Sequence, residues 1–265
     1  MRHCYVLRVF TRGEEGGNPL GVVTDLTGLD AAGMQRIASE LAFSETVFID
    51  WQEEGTPSVR IFTPRVEIPF AGHPLVGAAW VLSMMGPGTV DKVTCGIGEV
   101  PFRVDGEAVW VDVPLPDAVR RAPEAESIAL MSRLPDPMAA WWVELPLEYL
   151  VIDPGFPSLI EGADPDFDAL EASGAGLCYL AAPDRDGYRA RFFAPAVGVP
   201  EDAATGSAAV ALAAVRHFEG ERQGRCEVWQ GEEIGSPSTI LLSWDGGTAS
   251  LGGTVSRDEV RILDI

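Results

Sequence analysis

At 265 residues with 46% hydrophobic side chains, the chain has ample apolar content for buried cores, which excludes a disordered protein. Its 19 basic against 40 acidic side chains leave a formal net charge of −21, which argues against nucleic acid or an anionic membrane as partner. The same charge poses a puzzle for any anionic substrate, which must find a local positive field.

The opening MRHCYVLRVF is too short and too interrupted for a signal peptide, and no apolar run is long enough to span a bilayer, so a cytoplasmic protein is expected. CYVLRVF and VVTDL read as strands around the turn-rich GEEGGNPLG. Asp30 can cap a helix running to about Phe43, with Met34, Ile37, Ala38 and Leu41 at helical spacing. SETVFID and VRIF return to strand, and VTCGIGEVPFRV with VWVDV makes a meander. The stretch PLPDAVRRAPEAESIALMSRLPDP, rich in proline and charge, reads as a linker carrying one short helix. YLVID, LCYLAA and YRARFFA follow as strands, and ILLSWDGGTASL as a hairpin around Asp245-Gly246. Cys4, Cys95, Cys178 and Cys226 lie far apart with no CxxC spacing, which predicts free thiols and no zinc site.

RIFTPRVEIPFAGHPLVGAAWVL, from Arg60, is echoed by RFFAPAVGVPEDAATGSAAVALAAV, from Arg191. Arg60, Phe62, Pro64, Val66 and Pro69 match Arg191, Phe193, Pro195, Val197 and Pro200 at one offset (191 − 60 = 131). The register then slips by three, setting Gly72-His73 against Gly206-Ser207 (206 − 72 = 134). HPLVGAAWVL and SAAVALAAV are apolar on every face, as befits helices buried inside the protein. Two such helices, each among short strands, predict an α+β fold of two pseudo-symmetric lobes, each a strand-rich barrel around a central apolar helix. The boundary falls after residue 116, giving units 1–116 and 117–265, with the final strand free to return to the first. An ordinary α+β fold with two core helices is the alternative.

Both helix starts carry glycine where backbone must approach something closely. Pro74 suits a first helical turn, and Thr205 or Ser207 can cap the second helix. Leading helix N–H groups lack partners and carry the positive end of the dipole, so two converging starts make a carboxylate site. That field is local, whereas distant surface acids are screened over about 8 Å of physiological salt.

FTRGEEGGNPLGVV, ELAFSETVFI, FTPRVEIPFAGHPLVGAA and FFAPAVGVPEDAATGSAAVAL resemble, in order, the motifs of the phenazine-biosynthesis isomerase family (PhzF-like), of the diaminopimelate epimerase-like fold superfamily. QGEEIGSPSTI, from Gln230, resembles a late motif, and roughly 115 to 150 carries none. The resemblance implies two similar lobes with the active site between them, a homodimer and no cofactor or metal. Carried over by motif, it implies Glu45, His73, Asp202 and Ser207 as catalytic residues. Glu45 would move a proton between carbons of a dihydro-hydroxyanthranilate, with the amides at Gly72-His73 and Gly206-Ser207 holding its carboxylate. Asn18 is expected to fix a loop over the cleft.

The residues suit that chemistry. Glu45 precedes the β-type run TVFI, so its carboxylate can project from a strand end into an apolar cleft, where a raised pKa lets it take and return a proton. Read alone, Ser44-Glu45 is a polar turn, His73 a satisfied core histidine, Asp202 a turn acid and Ser207 a cap. Superfamily racemases use two thiols directly before the helix-start glycines; here Ala71 and Thr205 stand there, so two-thiol stereoinversion is excluded. Leu75 replaces a threonine often found after GHP, removing a hydroxyl near the site. The expected activity is therefore a cofactor-independent isomerase acting on a small carboxylate-bearing cyclic substrate. A small-carboxylate binding protein is the alternative, while dispersed His3, His73 and His217 disfavour a metal-dependent hydrolase.

Overall fold

Short apolar runs buried on both faces, such as TVFI at 46–49 and AWWV at 140–143, together with alternating stretches such as STILLSWD at 238–245, set much of the chain into strands. The computed structural model describes residues 2–51, 55–85, 90–123 and 137–263; the short helix expected in the linker falls on 124–136, outside the described residues. The first half runs β1 (Arg2–Val9), β2 (Asn18–Val23), α1 (Ala31–Leu41), β3 (Glu45–Asp50), β4 (Ser58–Phe62), β5 (Glu67–Ile68), α2 (Gly72–Met85), β6 (Lys92–Cys95), β7 (Gly98–Asp105) and β8 (Ala108–Pro114). After β9 (Val119–Arg121) come β10 (Ala139–Glu144), β11 (Glu148–Asp153), α3 (Pro157–Glu161), α4 (Phe167–Ala172), β12 (Cys178–Asp184), β13 (Gly187–Ala194) and β14 (Val199–Asp202). α5 (Gly206–Phe218), β15 (Gln223–Gln230), β16 (Ser238–Asp245) and β17 (Thr248–Leu263) complete the chain. The result is a strand-rich barrel architecture with few helices. Among the described residues no helix is long and apolar enough to cross a membrane.

Strand pairing repeats along the chain. β2 runs parallel to β3, β3 antiparallel to β4, β4 antiparallel to β5 and parallel to β6. β11, β12, β13, β14 and β15 pair in the same senses. β17 serves both sets: its first residues pair with β16 and β8, and its later ones with β1. Its hairpin with β16 turns on Gly246-Gly247, both at positive φ, one residue later than the sequence suggests, because Asp245 still pairs with Thr248.

The three-residue slip has a definite place. Ile61 pairs with Ile68, and Phe192 with Asp202, so the offset has grown from 131 to 134 within the connection between these strands. Twin ion pairs mark the same register: Arg60 to Glu67 at 2.7 and 2.6 Å, and Arg191 to Glu201 at 2.9 and 2.8 Å. By pairing, Pro69 therefore corresponds to Ala203, and its match to Pro200 is corrected. The extra residues form a 3-10 turn, Pro195–Val197, closed by Gly198 at φ 82°.

α1 begins where expected, with the Asp30 carboxylate accepting from the Gly33 amide at 2.8 Å. It ends at Ala42, held in the left-handed region at φ 54°. α2 and α5 are buried along most of their length, Leu75, Val76, Ala78 and Ala79 being fully enclosed, as are Ala208 to Ala211. Each buried Leu or Val contributes about 1.5–3 kcal/mol over its exposed state. The two helices meet at their starts. A Cβ on Gly72 would stand 2.7 Å from the Gly206 Cα and carbonyl carbon, and 2.6 Å from Leu251 Cδ2.

Gly72→Ala should therefore destabilise by about 1–3 kcal/mol through overpacking against rigid backbone. At about 2–4 °C of melting temperature per kcal/mol for a chain of this size, the loss is readable in a thermal melt. Gly162→Ala, where a Cβ meets nothing nearer than 3.6 Å, is the control and should be close to neutral. Equal melting of the two variants would contradict the close helix contact.

Candidate functional site

The left-handed turn at Ala42 swings the chain from α1 into β3 and delivers Ser44 and Glu45 to the start of that strand. β2 begins beside it with Asn18, α2 brings His73 in its first turn, and β14 ends on Asp202. Asn18 is the hub. Its Nδ2 donates to Asp202 Oδ1 at 2.8 Å and the Ala204 carbonyl at 2.9 Å, with His73 Nδ1 at 3.2 Å. Its Oδ1 accepts from Ser44 Oγ at 3.1 Å. Asp202 Oδ1 and the Ala204 carbonyl are both acceptors, so this amide orientation follows from the network. An amide NH₂ facing His73 Nδ1 leaves that nitrogen unprotonated, which places the imidazole hydrogen on Nε2.

His73 Nε2 lies 3.4 Å from Glu45 Oε2, and both atoms are buried without a hydrogen-bond partner. Burial pushes the Glu45 carboxyl up to about 8, helped by the negative charge of Asp202 and opposed by Ser44. Burial also raises Asp202, to about 6, against hydrogen bonds from Thr205, Asn18 and the Ala203 amide. His73 is pushed down to about 3 by burial. Asp202 has more donors than Glu45, so it ionises first and holds the site's negative charge near pH 7. Glu45 then keeps its proton longest, and His73 stays neutral.

Ser207 and Thr205 occupy the start of α5, and neither caps it as the sequence suggests. The Thr205 hydroxyl donates to Asp202 Oδ2 at 2.6 Å, and the Ser207 hydroxyl, inside the first turn, pairs with Tyr149 OH at 2.9 Å. Asp202 and Tyr149 claim these oxygens because both are buried and need partners. The Thr205 amide instead finds the side-chain oxygen of Gln230 at 3.3 Å, while Gln230 Nε2 donates to the Asp202 carbonyl at 2.8 Å. Ser44, Tyr149, Thr205 and Gln230 were not among the sequence candidates, although Gln230 heads a motif and could have been flagged.

Glu45, Asp202 and Ser207 line one cavity, together with the apolar Ile68, Leu147, Leu177 and Phe192. It leaves about 30 Å³ for water-sized spheres, room for ordered water but not for a ring. A ring-sized ligand therefore requires the walls to part. Asn18, Glu45, His73 and Asp202 form one cluster, and Ser207 lines the same cavity bound to Tyr149 instead. Gly72 and Gly206 pack on each other, and the cavity reaches the helix starts through Ala71, Thr205 and Ser207. Leu75 is fully buried in the core and outside the cavity lining, so no hydroxyl is lost from this cavity there. Among the described residues no cluster of three or more His, Cys, Asp or Glu could hold a metal ion.

A model of the family described as phenazine biosynthesis-like protein matches residues 7–256. A trans-2,3-dihydro-3-hydroxyanthranilate isomerase of Pseudomonas chlororaphis is 34% identical over 262 residues, covering 93% of this chain and 91% of that protein. A Deinococcus radiodurans protein named only as an uncharacterized isomerase is 37% identical, covering 87% of this chain and 83% of its own. The crystal structure of a Bacillus anthracis phenazine biosynthesis protein of the PhzF family superposes with a TM-score of 0.84 at 20% identity, covering 100% of this chain and 99% of that one.

The buried acids should leave a mark on stability. Glu45 is raised from 4.5 to about 8, so its native-state proton stabilises fully below the unfolded value and that contribution fades as pH rises through about 8. His73 is lowered from 6.5 to about 3, so its contribution is present above about 6.5 and is lost as pH falls. Glu45→Gln should gain melting temperature relative to wild type between about pH 5 and about pH 9, and His73→Asn between about pH 7 and about pH 4. Thermal melts across that range check both, and pH-independent differences would show that these groups do not titrate while buried.

Proposed function

We propose that this chain, which belongs to the phenazine biosynthesis-like protein family, is an isomerase that moves a proton between carbons of a small carboxylate-bearing cyclic substrate without a cofactor. The observation that carries this reading is the unpartnered pair Glu45 Oε2 and His73 Nε2, facing each other at 3.4 Å, with Glu45 lining the cavity. Buried polar atoms left unpaired cost about 1–3 kcal/mol each, a cost that a reacting partner would relieve. The isomerase names of the relatives support the reaction class.

Ionised Glu45 takes a proton from one substrate carbon, and the resulting carboxylic acid returns it to another, so no proton is consumed overall. Its raised pKa makes the carboxylate a stronger base than one in water. Asp202, ionised and tied by Asn18 and Thr205, supplies the nearby negative charge that sustains this basicity. His73 presents its Nε2 hydrogen at the place where negative charge moves. The starts of α2 and α5 attract the substrate carboxylate, as leading helix amides do. We read the repeated strand pairing as two lobes, each built around one of these helices, with the cavity between them. A protein that only bound carboxylates would need the helix starts, but not the orphaned Glu45–His73 pair.

Glu45→Gln keeps shape and polarity but removes the base. On trans-2,3-dihydro-3-hydroxyanthranilate, the substrate named for the relatives, kcat should fall about 10²–10⁴-fold while Kd changes little. In wild type, kcat/KM should rise with pH and level off near the Glu45 value of about 8. Proton NMR in deuterated water would follow both the isomerisation and the label entering carbon. Wild-type turnover by Glu45→Gln would remove this residue from the mechanism.

A further inference from the structure

α2 and α5 each carry a polar side chain at the second residue of the helix, His73 and Ser207. Each is held by a residue of an equivalent strand: Asn18 on β2 holds His73, and Tyr149 on β11 holds Ser207. The Asn18 amide fixes which ring nitrogen of His73 carries its hydrogen, and so which atom faces Glu45. Tyr149 stands in the same relation to Ser207, with a phenol in place of the amide.

Tyr149 and Ser207 are 5% and 4% exposed, and both line the cavity. The phenol donates to Ser207 Oγ at 2.9 Å, the direction expected of the stronger acid of two hydroxyls. Burial keeps the phenol protonated, its pKa pushed up to about 12, with the charges of Glu45 and Asp202 adding to the rise and the Ser207 bond opposing it. Two hydroxyls bring two hydrogens, and the bond between them uses one. The Ser207 hydrogen has no acceptor among the described residues: Asp202 takes Asn18 and Thr205, and Glu45 faces His73. A buried donor left unused is costly, and a ligand oxygen in the cavity would take it up.

We propose that Tyr149 is a positioning residue for the reaction: by donating to Ser207 Oγ it turns the serine hydrogen toward the carboxylate of the substrate. This rests on the carboxylate-bearing substrate of the isomerase reading above. Ser207 lies in the first turn of α5, whose leading amides attract the same carboxylate, so hydroxyl and amides converge on one group. Donation by the phenol also polarises the serine O–H, since hydrogen bonds in a chain strengthen one another. Without the phenol the serine hydroxyl is free to rotate and to bond back to a carbonyl of the preceding turn, a common alternative for serine in helices. The Tyr149 ring stacks on Phe192, with centroids 5.8 Å apart and planes at 29°, which fixes where the phenol points.

Anthranilate and its uncharged amide, anthranilamide, are the probes, titrated calorimetrically into wild type, Tyr149→Phe, Ser207→Ala and the double variant. Phenylalanine keeps the stack on Phe192, so thermal melts of Tyr149→Phe should stay within a few degrees of wild type. Hydrogen bonds to charged groups are the stronger ones, so Tyr149→Phe should bind anthranilate about tenfold more weakly and anthranilamide about twofold. Ser207→Ala should lose at least as much, and adding Tyr149→Phe to it should cost nothing further, because the phenol acts through the serine. On trans-2,3-dihydro-3-hydroxyanthranilate, Tyr149→Phe should raise KM about tenfold, leave kcat within about twofold and keep the pH profile set by Glu45. Losses that add in the double variant, or equal losses on acid and amide, would overturn the assignment and leave the carboxylate reading standing. If wild type binds the amide as tightly as the acid, the carboxylate reading itself falls and this assignment falls with it.

Discussion

Two helices start head to head at Gly72 and Gly206, and the rest of the site is arranged around that contact. Each start carries roughly half a positive charge from its unpaired amides, so bringing them together concentrates like charge in a low-dielectric place. Only glycine at both positions allows the approach, because a Cβ on either would collide with the other's backbone or with Leu251. The molecule answers with carboxylates: Asp202 accepts from the Ala203 amide beside the start of α5, and Glu45 stands opposite His73 at the start of α2. Asp202, which holds the site's negative charge, thus also balances a field that the fold creates.

The repeated strand pairing lets each site residue be matched to its counterpart, and the matches are chemically opposite. Thr46 pairs with Phe62, and Cys178 with Phe193, so Glu45 corresponds to Leu177. Ile61–Ile68 against Phe192–Asp202 makes Ile68 the counterpart of Asp202. The parallel registers of β2 with β3 and β11 with β12 set Asn18 against Leu147. Leu177, Ile68 and Leu147 all line the cavity. One half therefore supplies an apolar wall wherever the other supplies an acid or its support, with Asp202 crossing over from the second half. That wall performs a task of its own, since exclusion of water is the leading cause of the raised Glu45 and Asp202 pKa values. Facing hydrocarbon, the paired acids Glu45 and Asp202 share one charge, which suits a base that takes and returns one proton.

Much of this was legible in the sequence because it is local. The Asp30 cap, the apolar α2 and α5 and the echo of Arg60 in Arg191 are written in short stretches whose spacing alone carries the signal. The motif residues Asn18, His73 and Asp202 did converge on one hydrogen-bonded group, with Glu45 3.4 Å from His73. What escaped was set by long-range register. Tyr149 reaches Ser207 across 58 residues, and Gln230 reaches Thr205 across 25, and neither distance leaves a local pattern. Both hydroxyls at the start of α5 looked like caps because a cap is their commonest local use. Buried neighbours with stronger demands took them instead. The slip of three residues was visible, but its position was not, since prolines at 69 and 200 happened to preserve the first offset past the true insertion.

Thr205 shows why the same scaffold position can carry different chemistry. It stands directly before a helix-start glycine, lines the cavity and lies at the positive end of α5, the setting that would favour a thiolate. Here its oxygen instead donates to Asp202 and accepts from Gln230 at 3.1 Å. That bond holds a carboxylate where the helix field is strongest, and the negative charge passes from the residue before the glycine to the acid three positions earlier. On the other helix the equivalent place is Ala71, which offers no polar atom, and the acid reaches the cavity from Glu45 on β3. The helix starts thus face oxygens carried on neighbouring strands, Asp202 at the end of β14 and Glu45 at the start of β3. A carboxylate there takes a proton and gives it back unchanged, which fits the proposed transfer of one proton between two carbons.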